Sequence, residues 1–464
     1  MLSEVPRTSC LVFIALRAIS IDMTQAARRR GIFMTCIFLS LFPFSLLHAA
    51  PASLQYQYGE QVFTIEPQKS WLEAKDVPMY RGRELRFATG ESLPHGVVME
   101  KKQTWSKAKI ASMLDRTIGA VINREAGSVR IHRDTNDAIV FDGLGLNGRL
   151  LDLDRTAELT LLALEQNISV IQLPITETEP EVVVEDPELQ AMGIAELITI
   201  GESDYAGSPK NRIHNIAVGL ARFNGQIIPK DEEFSFGKIL GPVNAKTGYL
   251  PELTILGDKT LPEFGGGLCQ VSTTAYRGAW RAGLPITARR NHSYAVRFYF
   301  PPGTDATVYP PWTDMRFMND TAGAILVQTH HENNKAYFLY YGTKPKERSV
   351  ELVGPFTWDP IAPPPDRIEY TTELPLGESR VLSKRVPGMK AMWYRIITDE
   401  GMDAEPEQFA SYYEARPYYE EIGMGASPPG IVKTPEKNVI RLSEETTITL
   451  PRDGRTGPRI RIRR

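Results

Sequence analysis

The chain has 464 residues, of which 42% are hydrophobic and 23% charged. That is the balance of a globular protein too long for one ordinary core, so two or three domains are expected. A formal net charge of -3 excludes general nucleic-acid binding, which relies on clustered positive charge to displace counterions.

At the N-terminus, Arg28, Arg29 and Arg30 precede an apolar run over 32–47, and His48, Ala49 and Ala50 then offer a signal-peptidase site. The pattern predicts a secretory signal over 1–50, cleaved after Ala50, with Met23 as an alternative start. The competing reading is an uncleaved anchor, although the apolar run is shorter than the ~20 residues that span a bilayer. Export would place the protein in the periplasm, in the cell wall or outside the cell. Cys10 and Cys36 fall in the removed segment, which leaves Cys269 without an intramolecular disulfide partner.

The mature chain reads as α+β and multidomain. Residues 53–100 carry short alternating runs and are expected to be strand-rich. Over 105–122 apolar residues recur at helical spacing (Ile110, Met113, Leu114, Ile118, Val121). Strands are predicted over 128–132 and 138–141, then a helix over 154–165 with Asp154 as its N-cap, then a strand over 169–174. The acidic stretch 177–188 and the turn-rich stretch 201–211 read as a linker into a mixed helix/strand core over 210–345. Five prolines within 355–365 suggest a stiff spacer. Residues 367–425 then alternate like the strands of a small β-rich domain. The tail over 426–464 lacks periodic apolar faces and ends in a basic run, so a disordered tail is expected, with attraction to anionic wall polymer or lipid as the sharper alternative.

Chemistry concentrates around Cys269, which ends the glycine turn Gly265-Gly266-Gly267 and opens a predicted helix over 269–282. A thiol at a helix start meets unpaired backbone N–H groups, which stabilise a thiolate or an acyl oxyanion. Ala275, Gly278, Ala279 and Ala282 leave one side of this helix open to close approach by a sheet or second helix. His292 shares strand parity with Tyr294, Val296, Phe298 and Phe300, so its imidazole is expected on the inner face. If the following residues form a hairpin about 301–304, the register brings Asp314 to His292 and leaves Asp305 ~26 Å away along the strand. Asp314 is therefore favoured as the carboxylate that orients the imidazole. A Cys at a helix start with a His on a strand is a geometry that papain-like peptidases and transglutaminases also use, which does not establish a shared function.

Six ordered motifs carry a family resemblance: Asn211-Arg-Ile-His-Asn-Ile216, Glu233-Phe-Ser-Phe236, Gly265 onward to Thr274, His292-Ser-Tyr294, Asp305-Ala-Thr-Val308 and Asp314-Met-Arg-Phe-Met-Asn319. They resemble the successive motifs of the VanW family, which implies a cell-envelope role and brings no established reaction with it. Residues 53–185 resemble the peptidoglycan-binding module found ahead of such domains, and 355–425 resembles the G-five domain that often follows them.

Two readings follow. In the first, the exported protein binds or modifies peptidoglycan at its peptide stem as a cysteine-nucleophile acyltransferase or peptidase. Cys269 is then the nucleophile, His292 the base and acid, and Asp314 the orienting carboxylate. Gln270, Gly267 and Asp305 serve as oxyanion or substrate-binding residues. In the second, the protein is a non-catalytic wall-binding scaffold and Cys269 is a packed core thiol. No cofactor or metal is expected: His330 and His331 point to opposite faces of a strand, and neither a CxxC pair nor an HExxH helix occurs. Membrane contact is expected only through the signal or anchor segment and the basic tail.

Overall fold

A computed structural model describes residues 51–85, 95–256, 259–345, 347–399 and 401–425. The predicted export signal and basic tail lie outside the described residues. The fold is α+β, with more strand than helix. Among the described residues, no helix is long and apolar enough to cross a membrane.

The first strands, Leu54–Tyr58 and Gln61–Ile65, pair as a tight hairpin, and the first also pairs in parallel with Val170–Gln172. Gly59, at a φ of +55°, supplies the left-handed turn. The helix expected over 105–122 runs as Lys107–Leu114, a π-turn over Asp115–Gly119 and a last turn Ala120–Ile122. Ile110, Leu114 and Ile118 are buried as the periodicity predicts, but Val121 is exposed and Ile122 takes its place. The extra residue of a π-turn rotates everything after it around the axis, so the apolar face shifts by one position. This helix packs on Leu153–Gln166, whose N-cap is Asp152: its carboxylate accepts the Arg155 N–H at 2.9 Å. Asp154, expected as the cap, instead pairs with Lys107 at 2.7 Å.

The expected linker is structured. Glu181–Val184 pairs in parallel with Ser128–Arg133, and Pro187–Ala191 forms a short helix capped by Asp186. Val182 and Val184 both join a core that the acidic composition of the segment hid. Glu196–Asp204 then forms the edge of a four-stranded antiparallel sheet whose order continues through Lys335–Gly342, Ile325–Glu332 and Ile227–Ile228.

The helix Leu268–Arg281, called the site helix below, lies across this sheet. Contact is closest where Gly201 meets Gly278. A Cβ on Gly201 would sit 1.9 Å from the Thr274 carbonyl oxygen, and one on Gly278 would sit 2.5 Å from the Tyr340 ring. The small-residue side of the helix is thus the side that approaches the sheet.

Two of the five prolines read as a spacer, Pro355 and Pro360, fall within a 13-residue strand, Ser349–Ile361, which pairs with Gly388–Asp399 across two register shifts. Strands can carry proline at such irregular points because a ladder hydrogen bond is already absent there. Glu407–Tyr413 pairs with the other side of Gly388–Asp399. Trp393 from this sheet meets Trp280 of the site helix edge-to-face, with ring centroids 5.5 Å apart. Such a pair contributes about 0.5–1.5 kcal/mol beyond its buried area. The C-terminal strands therefore share one hydrophobic core with the site helix.

Candidate active site

The turn into the site helix requires glycine. Gly265 and Gly267 have φ of +83° and +114°, and a Cβ on Gly266 would lie 2.6 Å from the Glu252 carbonyl oxygen. Gly267 is the N-cap, so Cys269 stands in the first turn as predicted. The Leu268 and Gln270 N–H groups are taken by the carbonyls of Gly265 and Gly267. The Cys269 N–H has no such partner among the described residues.

Cys269 is half-buried, with Thr307 Oγ1 at 3.5 Å and the Val308 carbonyl at 3.7 Å from its sulfur. The imidazole of His292 lies near enough for its charge to act on the thiol, and the thiol's on it. His292 is buried, its ring stacked on Tyr299 with centroids 4.5 Å apart. Its Nδ1 lies 2.5 Å from Asp305 Oδ2, which also accepts the His292 backbone N–H at 2.7 Å. With Nδ1 engaged by a carboxylate, Nε2 is the nitrogen left for the thiol. Asp305 Oδ1 accepts from the Tyr413 hydroxyl at 2.5 Å and from Arg289 at 3.2 Å.

Two expectations about the carboxylate are corrected. Asp305, not Asp314, meets the imidazole. Asp314 accepts from Ser235 at 2.7 Å, the Gly237 N–H at 2.7 Å and Arg316 at 2.8 Å. The hairpin that favoured Asp314 does not form: residues 292–296 are irregular, Arg297–Tyr299 is a 3-10 turn, and 305–308 run against the site helix. There Ser272 donates to the Ala306 carbonyl at 2.7 Å, and the Thr307 N–H bonds the Arg290 carbonyl at 2.8 Å. Asp305 is thereby returned to His292.

Gln270 is also reassigned. It is fully buried, accepting from Arg212 at 2.8 Å and donating to Ser203 at 2.8 Å and the Asp204 carbonyl at 3.2 Å. Its side chain ties the helix to the sheet edge and to Lys210–Ala221, and is not available to an oxyanion. Arg289, Tyr299, Thr307 and Tyr413 escaped sequence reasoning as members of this cluster. The Asp305-Ala-Thr-Val308 motif was the one available signal for Thr307.

The electrostatics favour an ion pair. Burial alone would raise the Cys269 thiol, but the charge of His292, with help from Thr307, brings it down to about 7. Burial likewise opposes the imidazolium, yet Cys269 and Asp305 together raise His292 to about 9. Asp305 resists the upward push of burial because His292, Arg289 and Tyr413 hold it far below the usual carboxylate range. The pair titrates as a unit. Chemically, such a cluster offers a thiolate nucleophile, a proton donor beside it and a fixed anion behind the donor. A cleft of about 650 Å³ is lined by Phe63, Arg297, Phe298 and Lys335 among others and not by Cys269, His292 or Asp305. Among the described residues, no group of three or more His, Cys, Asp or Glu side chains is placed to hold a metal ion.

This constellation belongs to a stretch with known relatives. Residues 211–341 match the family model described as VanW like protein, so the chain contains a VanW-like domain. It is 31% identical over 178 residues to the uncharacterized protein YoaR of Bacillus subtilis (strain 168), covering 38% of this chain and 57% of that protein. It is 30% identical over 118 residues to the vancomycin B-type resistance protein VanW of Enterococcus faecalis (strain ATCC 700802 / V583), covering 24% of this chain and 42% of that one. The chain thus spans about half the length of the curated relatives it matches. Two solved G5 domains each align with 17% of the chain. The G5 domain of IgA1 protease does so at 22% identity, over 94% of its own length, with a TM-score of 0.11. HP0197-G5 does so at 21% identity, over 100% of its length, with a TM-score of 0.09.

Proposed function

We propose that this is an exported cell-envelope protein whose VanW-like domain carries out thiol-mediated acyl transfer or amide hydrolysis on the peptide stem of peptidoglycan. The observation that carries the chemistry is the buried His292–Asp305 pair, whose imidazole acts electrostatically on Cys269. The family resemblance and the export signal read over 1–50 support the compartment, and the G-five resemblance of 355–425 fits an envelope setting.

In this reading the Cys269 thiolate attacks a peptide carbonyl carbon, and the developing oxyanion is met by the Cys269 N–H at the helix start. Imidazolium Nε2 gives its proton to the departing amine as the C–N bond breaks, leaving a thioester. Water or an acceptor amine then attacks the thioester and loses a proton to His292, and the thiolate departs. Asp305 stays ionised throughout and holds the ring.

Purified protein incubated with muropeptides, followed by mass spectrometry, tests the reading. Cleaved or exchanged stems are expected from the wild type and none from folded Cys269→Ala. Equal turnover by both proteins, or none by a wild type that binds the fragments, would return the protein to the scaffold class.

A further inference from the structure

The C-terminal sheet reaches the candidate site directly. Tyr413, at the end of Glu407–Tyr413, is 2% exposed. Its oxygen accepts the Gly303 N–H at 2.7 Å, so its single proton is directed to Asp305 Oδ1 at 2.5 Å. Burial and the Asp305 charge keep the phenol protonated by raising it further. The same strand holds the segments on either side. Ser411 accepts from Arg289 at 2.9 Å, the Tyr412 carbonyl accepts from Asn291 at 2.7 Å, and the Glu414 N–H donates to the Ser293 carbonyl at 2.7 Å. Trp393 donates to the Pro302 carbonyl at 2.8 Å, next to Gly303, where a Cβ would lie 2.7 Å from the indole. Both chain segments that supply His292 and Asp305 are therefore clamped from the C-terminal side.

We infer that the C-terminal strand domain is a working part of the Cys269 site, with Tyr413 as a positioning residue that turns Asp305 toward His292. The inference rests on the reading of Cys269 as a nucleophile and adds a dependence on a domain outside the VanW-like match. The titratable groups facing the Cys269–His292 pair are Asp305 and Tyr299, with Arg289, Tyr413 and Tyr276 of the site helix around Asp305 and Arg212 behind Tyr299. Without the Tyr413 hydroxyl, Oδ1 keeps only Arg289 at 3.2 Å. The carboxylate then swings toward the guanidinium and Oδ2 draws away from Nδ1. The imidazolium loses support, and the thiolate beside it loses its counterion.

The test is the pH profile of Cys269 alkylation by iodoacetamide in the full chain, read by peptide mass spectrometry between pH 5 and 10. Tyr413→Phe is expected to raise the midpoint by about one unit, a loss of about tenfold in rate at pH 6. Tyr412→Phe, whose side chain is half exposed, is expected to leave the profile unchanged. Should Tyr413→Phe not fold, Ser411→Ala loosens Arg289 instead and is expected to raise the midpoint by a smaller amount. An unchanged or lowered midpoint in a folded Tyr413→Phe protein overturns the positioning role, as does an unchanged Ser411→Ala where that variant stands in. A wild-type midpoint at the ordinary thiol value would instead sink the nucleophile reading itself, so the two failures are distinct.

Discussion

His292 directs two donors, its backbone N–H and its ring Nδ1, onto the same oxygen of Asp305. One carboxylate oxygen therefore fixes the main chain and the ring together, which leaves Nε2 as the ring nitrogen free to serve Cys269. A carboxylate used this way holds one tautomer and supports the imidazolium without being protonated itself.

Asp305→Asn should separate that role from the one first assigned to Asp314. The amide keeps the shape but loses the charge, so Cys269 alkylation at pH 6 should fall by about tenfold or more, and turnover on muropeptides by on the order of 10²–10⁴. Asp314→Asn should leave alkylation within about twofold while lowering stability by about 1–2 kcal/mol, because a nearly buried acceptor of four hydrogen bonds is weakened. Parallel alkylation assays and urea melts read both quantities, and the reverse pattern would restore Asp314.

The pH profile of the wild type follows from the pair. Alkylation needs the thiolate, so its rate should rise through about pH 7. Turnover also needs the protonated imidazole, so it should rise through the same region and fall again near pH 9. His292→Gln removes the positive charge but leaves the burial, so the thiol midpoint should climb above the ordinary value of about 8.5. A folded His292→Gln protein still alkylated at neutral pH as fast as the wild type would show that the imidazole does not activate the sulfur.

Local chemistry was legible in the sequence and long-range geometry was not. The glycine turn announced where the site helix begins, and its small residues announced its packed side. The choice between Asp305 and Asp314 failed because parity counting needs an unbroken strand, and the chain around Arg297–Tyr299 turns instead. Helical spacing puts Val121 inward because it assumes a constant period, which the π-turn breaks. Acidic and proline-rich stretches read as linkers because composition does not reveal which of their residues have partners; Val184 and Pro355 both lie in paired strands. The contact of Tyr413 with Asp305 joins residues 108 apart in sequence, and no local pattern announces it.

The closeness of the site helix to its sheet predicts intolerance at Gly201. Its Cβ would meet a backbone carbonyl at 1.9 Å, an atom that cannot step aside without moving the helix. Gly201→Ala should therefore cost about 3 kcal/mol or more by urea denaturation. Gly377→Ala, at a φ of +81° with nothing within 4 Å of its Cβ, should cost only the left-handed strain of about 1–2 kcal/mol. Equal losses at the two positions would mean that the sheet yields.

Gln270 provides the last discrimination, between a residue that builds the site and one that acts in it. Its amide joins Arg212, Ser203 and the Asp204 carbonyl inside the protein, so truncation leaves those groups short of partners. Gln270→Ala should cost about 1–3 kcal/mol of stability. Turnover per folded molecule should stay within about threefold, because the amide does not face the reacting carbonyl, whereas removal of an oxyanion donor costs about 10²–10³ in rate. Melting curves and muropeptide turnover on one preparation, normalised by the folded fraction, measure both. A hundredfold loss in a fully folded Gln270→Ala protein would show that the side chain leaves its buried partners to reach the oxyanion.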